Sequence, residues 1–256
     1  MSNHPFSLVG KTILITGASS GIGRACAQVC SQLGVSLILT GRNEERLDET
    51  LASLPQDASK HRVVPMDITQ YDAVASEMEK LEKEGVRIDG MINSAGISAT
   101  LPLRMIRPEK VQALFETNVN AGVNLCRWVT RKKMVPGTGQ SIVFISSVMG
   151  ITGEAGKTVY SITKGALIAA SRSLAVELAP KKIRVNCVSP GVVESPMSGS
   201  AVYSRNEKSL EKIKELHPLG LGQPKDVAHA CVYLLSDAAR WVTGTNIIVD
   251  GGYTAR

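Results

Sequence analysis

Short apolar runs recur along the chain, and most are followed by stretches whose apolar residues return at helical spacing. Lys11–Thr16 (KTILIT), Val35–Thr40 (VSLILT), Arg62–Met66 (RVVPM), Ile88–Ile92, Ser141–Ile145, Ile183–Val188 (IRVNCV) and Asn246–Val249 read as strands. The fourth is broken by Asp89-Gly90. Arg24–Leu33 reads as a helix, with Ala25, Val29 and Leu33 in step; so do Gln70–Glu84, Pro108–Met134, the stretch through Tyr160 to about Pro180, and Pro224–Leu235. Strands alternating with helices predict one α/β domain over 1–256 with a doubly wound parallel sheet. Gly199–His217 is polar and charged with no strand signal. It reads as a flap over the functional site, roughly 195–220, or as a plain surface helix pair.

Composition narrows the class. The chain has 256 residues, 43% of them hydrophobic, which is enough for a sizeable core. Aromatics are only 4%, so aliphatic side chains must fill that core. The net charge of +6 carries no basic block with interleaved aromatics, which argues against nucleic-acid binding. Cys26, Cys30, Cys126, Cys187 and Cys231 are scattered and odd in number, and neither they nor the histidines show zinc spacing. Core packing in a reducing compartment is expected of them, with no metal site. No signal-peptide pattern opens the chain and no apolar run reaches ~18 residues, so a cytoplasmic protein without a membrane span is expected.

Four stretches carry the binding chemistry. Gly17-Ala18-Ser19-Ser20-Gly21-Ile22-Gly23 lies between the first strand and the first helix. Glycines there permit tight turns and close approach, and the free N–H groups at a helix start attract an anion such as a pyrophosphate. The second strand ends at Gly41-Arg42-Asn43, where an NAD site usually carries an acidic residue. Arg42 suits a 2′-phosphate and so NADP; alternatively it is an exposed cation, with Asn43 capping the next helix. Asp67-Ile68 can meet an adenine amino group or cap a helix. Asn93-Ser94-Ala95-Gly96 is small enough for backbone to pass close to a cofactor.

The reactive chemistry falls later. Tyr160 and Lys164 are four apart, one turn along one helix face. An ammonium beside a phenol favours the phenolate, so Tyr160 is expected to titrate below its ordinary ~10 and to exchange a proton near neutral pH. Ser147 stands thirteen residues earlier, past the end of the fifth strand, where open α/β sheets place ligand chemistry. Asn118 and Asn120 sit inside a helical stretch, where amides are mildly unfavourable, so one of them is expected to have a partner.

From Lys11 to Gly252 the chain resembles the short-chain dehydrogenase/reductase family. The resemblance rests on Thr16-Gly17-Ala18-Ser19-Ser20-Gly21-Ile22-Gly23, Asn93-Ser94-Ala95-Gly96, Asn118, Ser147, Tyr160-x-x-x-Lys164 and Pro190-Gly191. It implies a Rossmann-type domain with a seven-stranded parallel sheet, commonly a homotetramer. It implies that Tyr160 is the general acid or base, that Lys164 lowers its pKa and binds the nicotinamide ribose, that Ser147 holds the substrate carbonyl, and that Asn118 holds a water in a proton relay. Gly17, Ser19, Ser20, Gly21, Ile22 and Gly23 would line the phosphate path, Asp67, Ile68 and Asn93 the adenosine. Ala95, Gly96, Pro190 and Gly191 would complete the cofactor site, with Val193 and Ser195 at the carboxamide. Ser94 and Ser195 depart from the family's usual Asn and Thr.

The segments 219–228 and 242–252 look most like 3-oxoacyl-[acyl-carrier-protein] reductases, which implies an NADPH-dependent reductase of 3-oxoacyl thioesters. Sugar, polyol and steroid dehydrogenases share those segments. A dinucleotide-binding regulator without turnover is the reading from another class, and the intact Asn118, Ser147, Tyr160 and Lys164 set opposes it. Arg131, Lys132, Lys133, Lys181 and Lys182 either meet an acidic carrier protein or are solvated helix ends.

Overall fold

The computed structural model describes residues 4–55, 60–199 and 206–255. Its strands are β1 (Thr12–Thr16), β2 (Ser36–Gly41), β3 (Arg62–Pro65), β4 (Gly90–Asn93), β5 (Gln140–Ile145), β6 (Ile183–Pro190) and β7 (Asn246–Val249). The α-helices are α1 (Gly21–Ser31), α2 (Glu44–Ala52), α3 (Tyr71–Lys83), α4 (Pro108–Phe115), α5 (Ala121–Val129), α6 (Thr158–Leu178), α7 (Pro196–Gly199), α8 (Glu207–Glu215) and α9 (Pro224–Leu235). Among the described residues the strands form one seven-stranded sheet, ordered β3-β2-β1-β4-β5-β6-β7, with every pairing parallel. This is the expected doubly wound α/β arrangement. The chain travels outward from β1 to β3, returns, and travels the other way from β4 to β7. Such a reversal leaves a crevice beyond the carboxyl ends of the strands.

Successive residues of one strand serve opposite layers. Ile13 and Ile15 of β1 join the cluster containing Cys26 and Val29 of α1 and Val227 and Cys231 of α9, whereas Leu14 joins Met78 of α3 and Leu125 of α5. β5 divides in the same way, with Val143 and Ile145 on the first side and Ile142 and Phe144 on the second. Each such side chain buried is worth ~1.5–3 kcal/mol, which makes the two covered faces the main source of cohesion. The five cysteines are all buried and free.

Two local features differ from the sequence reading. Gly90 does not break the fourth strand but opens it: a Cβ there would lie 2.6 Å from Leu235 Cδ2 and 2.8 Å from Ile13 Cδ1, so glycine lets α9 settle on the sheet. Asp89 just before it accepts the Thr12 N–H at 2.8 Å, tying β4 to β1. The stretch expected as one helix over 108–134 is α4, a π turn over Glu116–Asn120, and α5 ending at Val129. The wider turn carries Asn118 into the interior, and π turns of this kind recur at functional sites.

The 199–217 segment contains α8 in its described part, with the short α7 just before it; 200–205 lie outside the described residues. Asn206 caps α8 by accepting the Lys208 N–H at 2.9 Å. His217 anchors the far end. Its Nε2 accepts the Val192 N–H at 3.1 Å, which leaves the proton on Nδ1 to be donated to the Ile213 carbonyl at 2.7 Å.

Candidate active site

A cavity of about 470 Å³ lies along the carboxyl edge of the sheet. Its lining follows strand order: Asp67 and Ile68 after β3, Gly41 and Arg42 at β2, Gly17 and Ser19–Ile22 after β1, Ser94–Ile97 after β4, Ser146–Met149 after β5, and Pro190–Val193 with Ser195 at β6.

The end beside β1 to β3 is largely backbone. Gly17 and Gly21 have φ of +66° and +51°, which glycine adopts without the penalty a side chain brings. A Cβ at Gly23 would stand 2.2 Å from the Gly17 carbonyl oxygen, so Gly23 brings α1 against the loop from behind and does not itself line the cavity. Ser20 precedes α1 without capping it through its side chain. The first-turn N–H groups and the positive helix end are thereby left to a ligand, and an anion fits there. Asn43 caps α2 by accepting the Arg46 N–H at 2.8 Å, while Arg42 and Arg46 both border the cavity. Cap and cavity readings of this turn therefore hold together. This cradle fits the diphosphate and ribose of a dinucleotide.

The other end is built from side chains. Ser147 is nearly buried, and its Oγ accepts the Met149 N–H at 3.2 Å. Tyr160 and Lys164 lie on one face of α6, with Lys164 Nζ 5.6 Å from the phenol ring centre. Lys164 donates to the Ile145 carbonyl at 2.9 Å. Burial pushes its ammonium down to about 8, with Cys187 acting in the opposite direction. Ser146 Oγ donates to the Lys164 carbonyl at 2.8 Å and pins α6 to the end of β5.

Two asparagines stand behind the wall and do not line it. Asn118 is fully buried; its Oδ1 accepts the Ile97 N–H at 2.8 Å, and its Nδ2 donates to the Ile97 carbonyl at 3.0 Å and to Thr163 Oγ1 at 3.1 Å. A Cβ at Gly96 would lie 3.2 Å from Asn118 Oδ1 and 3.6 Å from Lys164 Nζ, so the three residues meet at one point. Asn120 is also partnered, donating to Glu116 at 3.0 Å on the surface. Asn93 lies beneath the floor: Thr16 Oγ1 donates to its Oδ1 at 2.9 Å and accepts the N–H groups of Ser94 and Ala95.

A family profile described as enoyl-(acyl carrier protein) reductase matches residues 17–254. The chain belongs to the short-chain dehydrogenase/reductase family. It is accordingly an oxidoreductase of a family that works with a nicotinamide cofactor. The chain is 35% identical to the 3-oxoacyl-[acyl-carrier-protein] reductase of Thermotoga maritima, over 96% of this chain and 98% of that protein. It is 38% identical to the Rickettsia conorii protein of the same name, over 96% of this chain and 97% of that one. A solved structure from Beutenbergia cavernae, described as an NAD(P)-dependent gluconate 5-dehydrogenase with NADP bound at low occupancy, superposes with a TM-score of 0.90. It is 30% identical and covers 99% of this chain and 100% of its own.

Within this member of the short-chain dehydrogenase/reductase family, Gly23, Asn93 and Asn118 are the catalytic and cofactor candidates that stay off the cavity wall; the other catalytic and cofactor candidates border it. Sequence reasoning missed Arg46, Lys157, His217 and Tyr253, which also border it. Arg46 and Lys157 had a signal in proximity, Arg46 four residues after Arg42 in the first turn of α2 and Lys157 three before Tyr160 at the start of α6. His217 and Tyr253 had none, since each arrives from a distant loop. Arg131 and Lys133 pair with Glu82 at 3.1 and 3.6 Å, and the Lys182 carbonyl accepts the Gln140 N–H at the start of β5. These basic residues therefore lie toward the amino edge of the sheet, away from the cavity.

Proposed function

We propose that the protein is an NADPH-dependent ketoreductase acting on a 3-oxoacyl thioester or similar β-keto compound. The observation that carries this reading is one cavity with Arg42 and Arg46 at one end and Ser147, Tyr160 and Lys164 at the other. The names of the bacterial relatives support the substrate class, and the NADP in the Beutenbergia structure supports the cofactor.

Arg42 and Arg46 would hold the 2′-phosphate, the glycine loop and the start of α1 the diphosphate, Asp67 and Ile68 the adenine end, and Val193 and Ser195 the carboxamide. When bound, the cofactor supplies hydride exchange with a carbonyl carbon. Ser147 donates a hydrogen bond to the substrate oxygen. Tyr160 passes its proton to that oxygen as negative charge grows there. Lys164 spends one donor on Ile145, which leaves its other two for the cofactor ribose and for the phenolate that Tyr160 becomes. Asn118 holds Ile97 and the Lys164 neighbourhood rigid, and a water in the relay would sit beside it.

Presentation on acyl carrier protein, a homotetramer and a cytoplasmic location belong to the same reading. Val176 of α6, Ile248 of β7 and Trp241 before β7 are exposed apolar side chains that an assembly would cover. No described helix is long and apolar enough to cross a membrane. A second reading is a sugar-acid or polyol dehydrogenase, favoured by the Beutenbergia structure and by the Lys157 amine in the cavity.

The test follows NADPH and NADH oxidation optically with an acetoacetyl thioester, then with keto-sugar acids, polyol-derived ketones and steroids. Turnover of the thioester with NADPH preferred is the expected result. Turnover of keto-sugar acids alone would transfer the assignment to the second reading, and no turnover across the panel would overturn both.

A further inference from the structure

Lys157 has no part in the chemistry above, yet its position is unusual for a lysine. It immediately precedes α6, one turn before Tyr160, and is only 8% exposed. Its Nζ lies 5.7 Å from the Tyr160 ring centre, so two amines, Lys157 and Lys164, flank one phenol. The two are held differently. Lys164 bonds the Ile145 carbonyl at 2.9 Å, whereas among the described residues Lys157 makes a long bond, 3.4 Å to Ser98 Oγ. Among the described residues no carboxylate is in ion-pair contact with it. Glu154 acts on it through charge alone, and burial still lowers its pKa. An ammonium has three donors, and a buried one is costly unless they are used. Lys157 and Ser98 both border the cavity, so the remaining donors have access to a ligand there.

We propose that Lys157 is the second anchor for the substrate: its amine receives an oxygen that the substrate carries beside the reacting carbonyl, and binds a carboxylate there more tightly than an ester or thioester oxygen. This deepens the ketoreductase reading and rests on it. The physical basis is that a hydrogen bond charged on both sides is roughly twice as strong as a neutral one. Ser98 is the partner that gives way, since its bond to the amine is already at the long limit. Among the described residues the amine's other neighbours are the Tyr160 ring and the charge of Glu154, so Lys157→Met keeps the aliphatic stem and removes the charge.

The full-length protein is tested with three ketones: acetoacetate, methyl acetoacetate and 2-pentanone. They carry a carboxylate, a neutral acyl oxygen and no second oxygen. The expected result is that Lys157→Met lowers the ratio of kcat/KM for acetoacetate over 2-pentanone by about 10- to 100-fold, lowers it less for methyl acetoacetate, and that Lys157→Arg restores part of it. In parallel, acetoacetate is titrated calorimetrically into NADP-saturated protein, and Lys157→Met is expected to weaken binding about tenfold or more. An unchanged ratio in Lys157→Met, or acetoacetate binding that is absent in the wild type or equal in both proteins, would overturn the anchor. Binding that depends on Lys157 without turnover of any ketone would instead retain the anchor and sink the ketoreductase reading.

Discussion

The two ends of the cavity are made in different ways. Beside β1 to β3 the wall is backbone: two glycines in the left-handed region, a helix start left uncapped by Ser20, and cations at the rim. Beside β5 and β6 the wall is side chains brought from separate segments: Ser147 past β5, Tyr160 and Lys164 on α6, His217 beyond α8 and Tyr253 near the carboxyl terminus. The glycine loop and helix start suit the diphosphate of any dinucleotide, because backbone N–H groups recognise phosphate without regard to the rest of the ligand; in the proposed reading Arg42 and Arg46 select among dinucleotides. The second end carries the side chains that the proposed function assigns to the reaction and to the substrate. On the proposed reading the difference makes phosphate binding and chemistry separable, and substitutions at either end can break or sharpen that division.

The largest effect is expected at the reactive end. Tyr160→Phe removes the proton donor and should lower kcat about 10³-fold, measured as NADPH oxidation with a ketone that the wild type reduces. Substantial remaining turnover would remove Tyr160 from its assigned role. Gly23→Ala comes next, because its Cβ would meet the Gly17 carbonyl oxygen at 2.2 Å. Overpacking of this kind costs about 1–3 kcal/mol, so urea denaturation should show that loss, together with weaker NADPH binding. Unchanged stability would mean that the loop is more compliant than its packing implies. Arg42→Ala should then lower the preference for NADPH over NADH about tenfold, and an equal effect on both cofactors would make Arg42 a surface cation.

A separate effect concerns pH. Burial holds Lys164 at about 8 in the folded protein against 10.5 for the ordinary side chain. Between those values the unfolded chain carries a proton that the folded chain has lost, so this group adds stability as pH rises through the window and costs stability below it. Urea midpoints at pH 7 and pH 10 should show the wild type gaining on Lys164→Met. Parallel behaviour of the two proteins would contradict a strained ammonium.

Much of this division was legible in the sequence for a physical reason. A phosphate cradle needs glycine at fixed positions between strand and helix, and Tyr160 with Lys164 needs helical spacing; both are local patterns. The seven strands were legible because each is a compact apolar run. Gly90 misled because its role is to admit Leu235, a residue far along the chain. The π turn at Asn118 was hidden because its pattern differs from an α-helix by a single residue in the turn. Asn93, expected near the adenosine, has its side chain tied to Thr16 on the neighbouring strand, a contact that only strand order reveals. His217 reaches the cavity through Val192 and Ile213, contacts that no spacing rule anticipates.

The central proposal is that this protein holds the phosphates of NADPH at one end of its cavity and carries out the reaction at the other. Its most direct test is the affinity of the Tyr160→Phe variant for NADPH, measured by fluorescence titration alongside the wild type. The account predicts affinities within about threefold of each other while turnover is lost, since a phenol oxygen at the reactive end contributes little to holding phosphates. A loss of affinity in step with the loss of turnover would contradict it, because binding and chemistry would then be one property of the site.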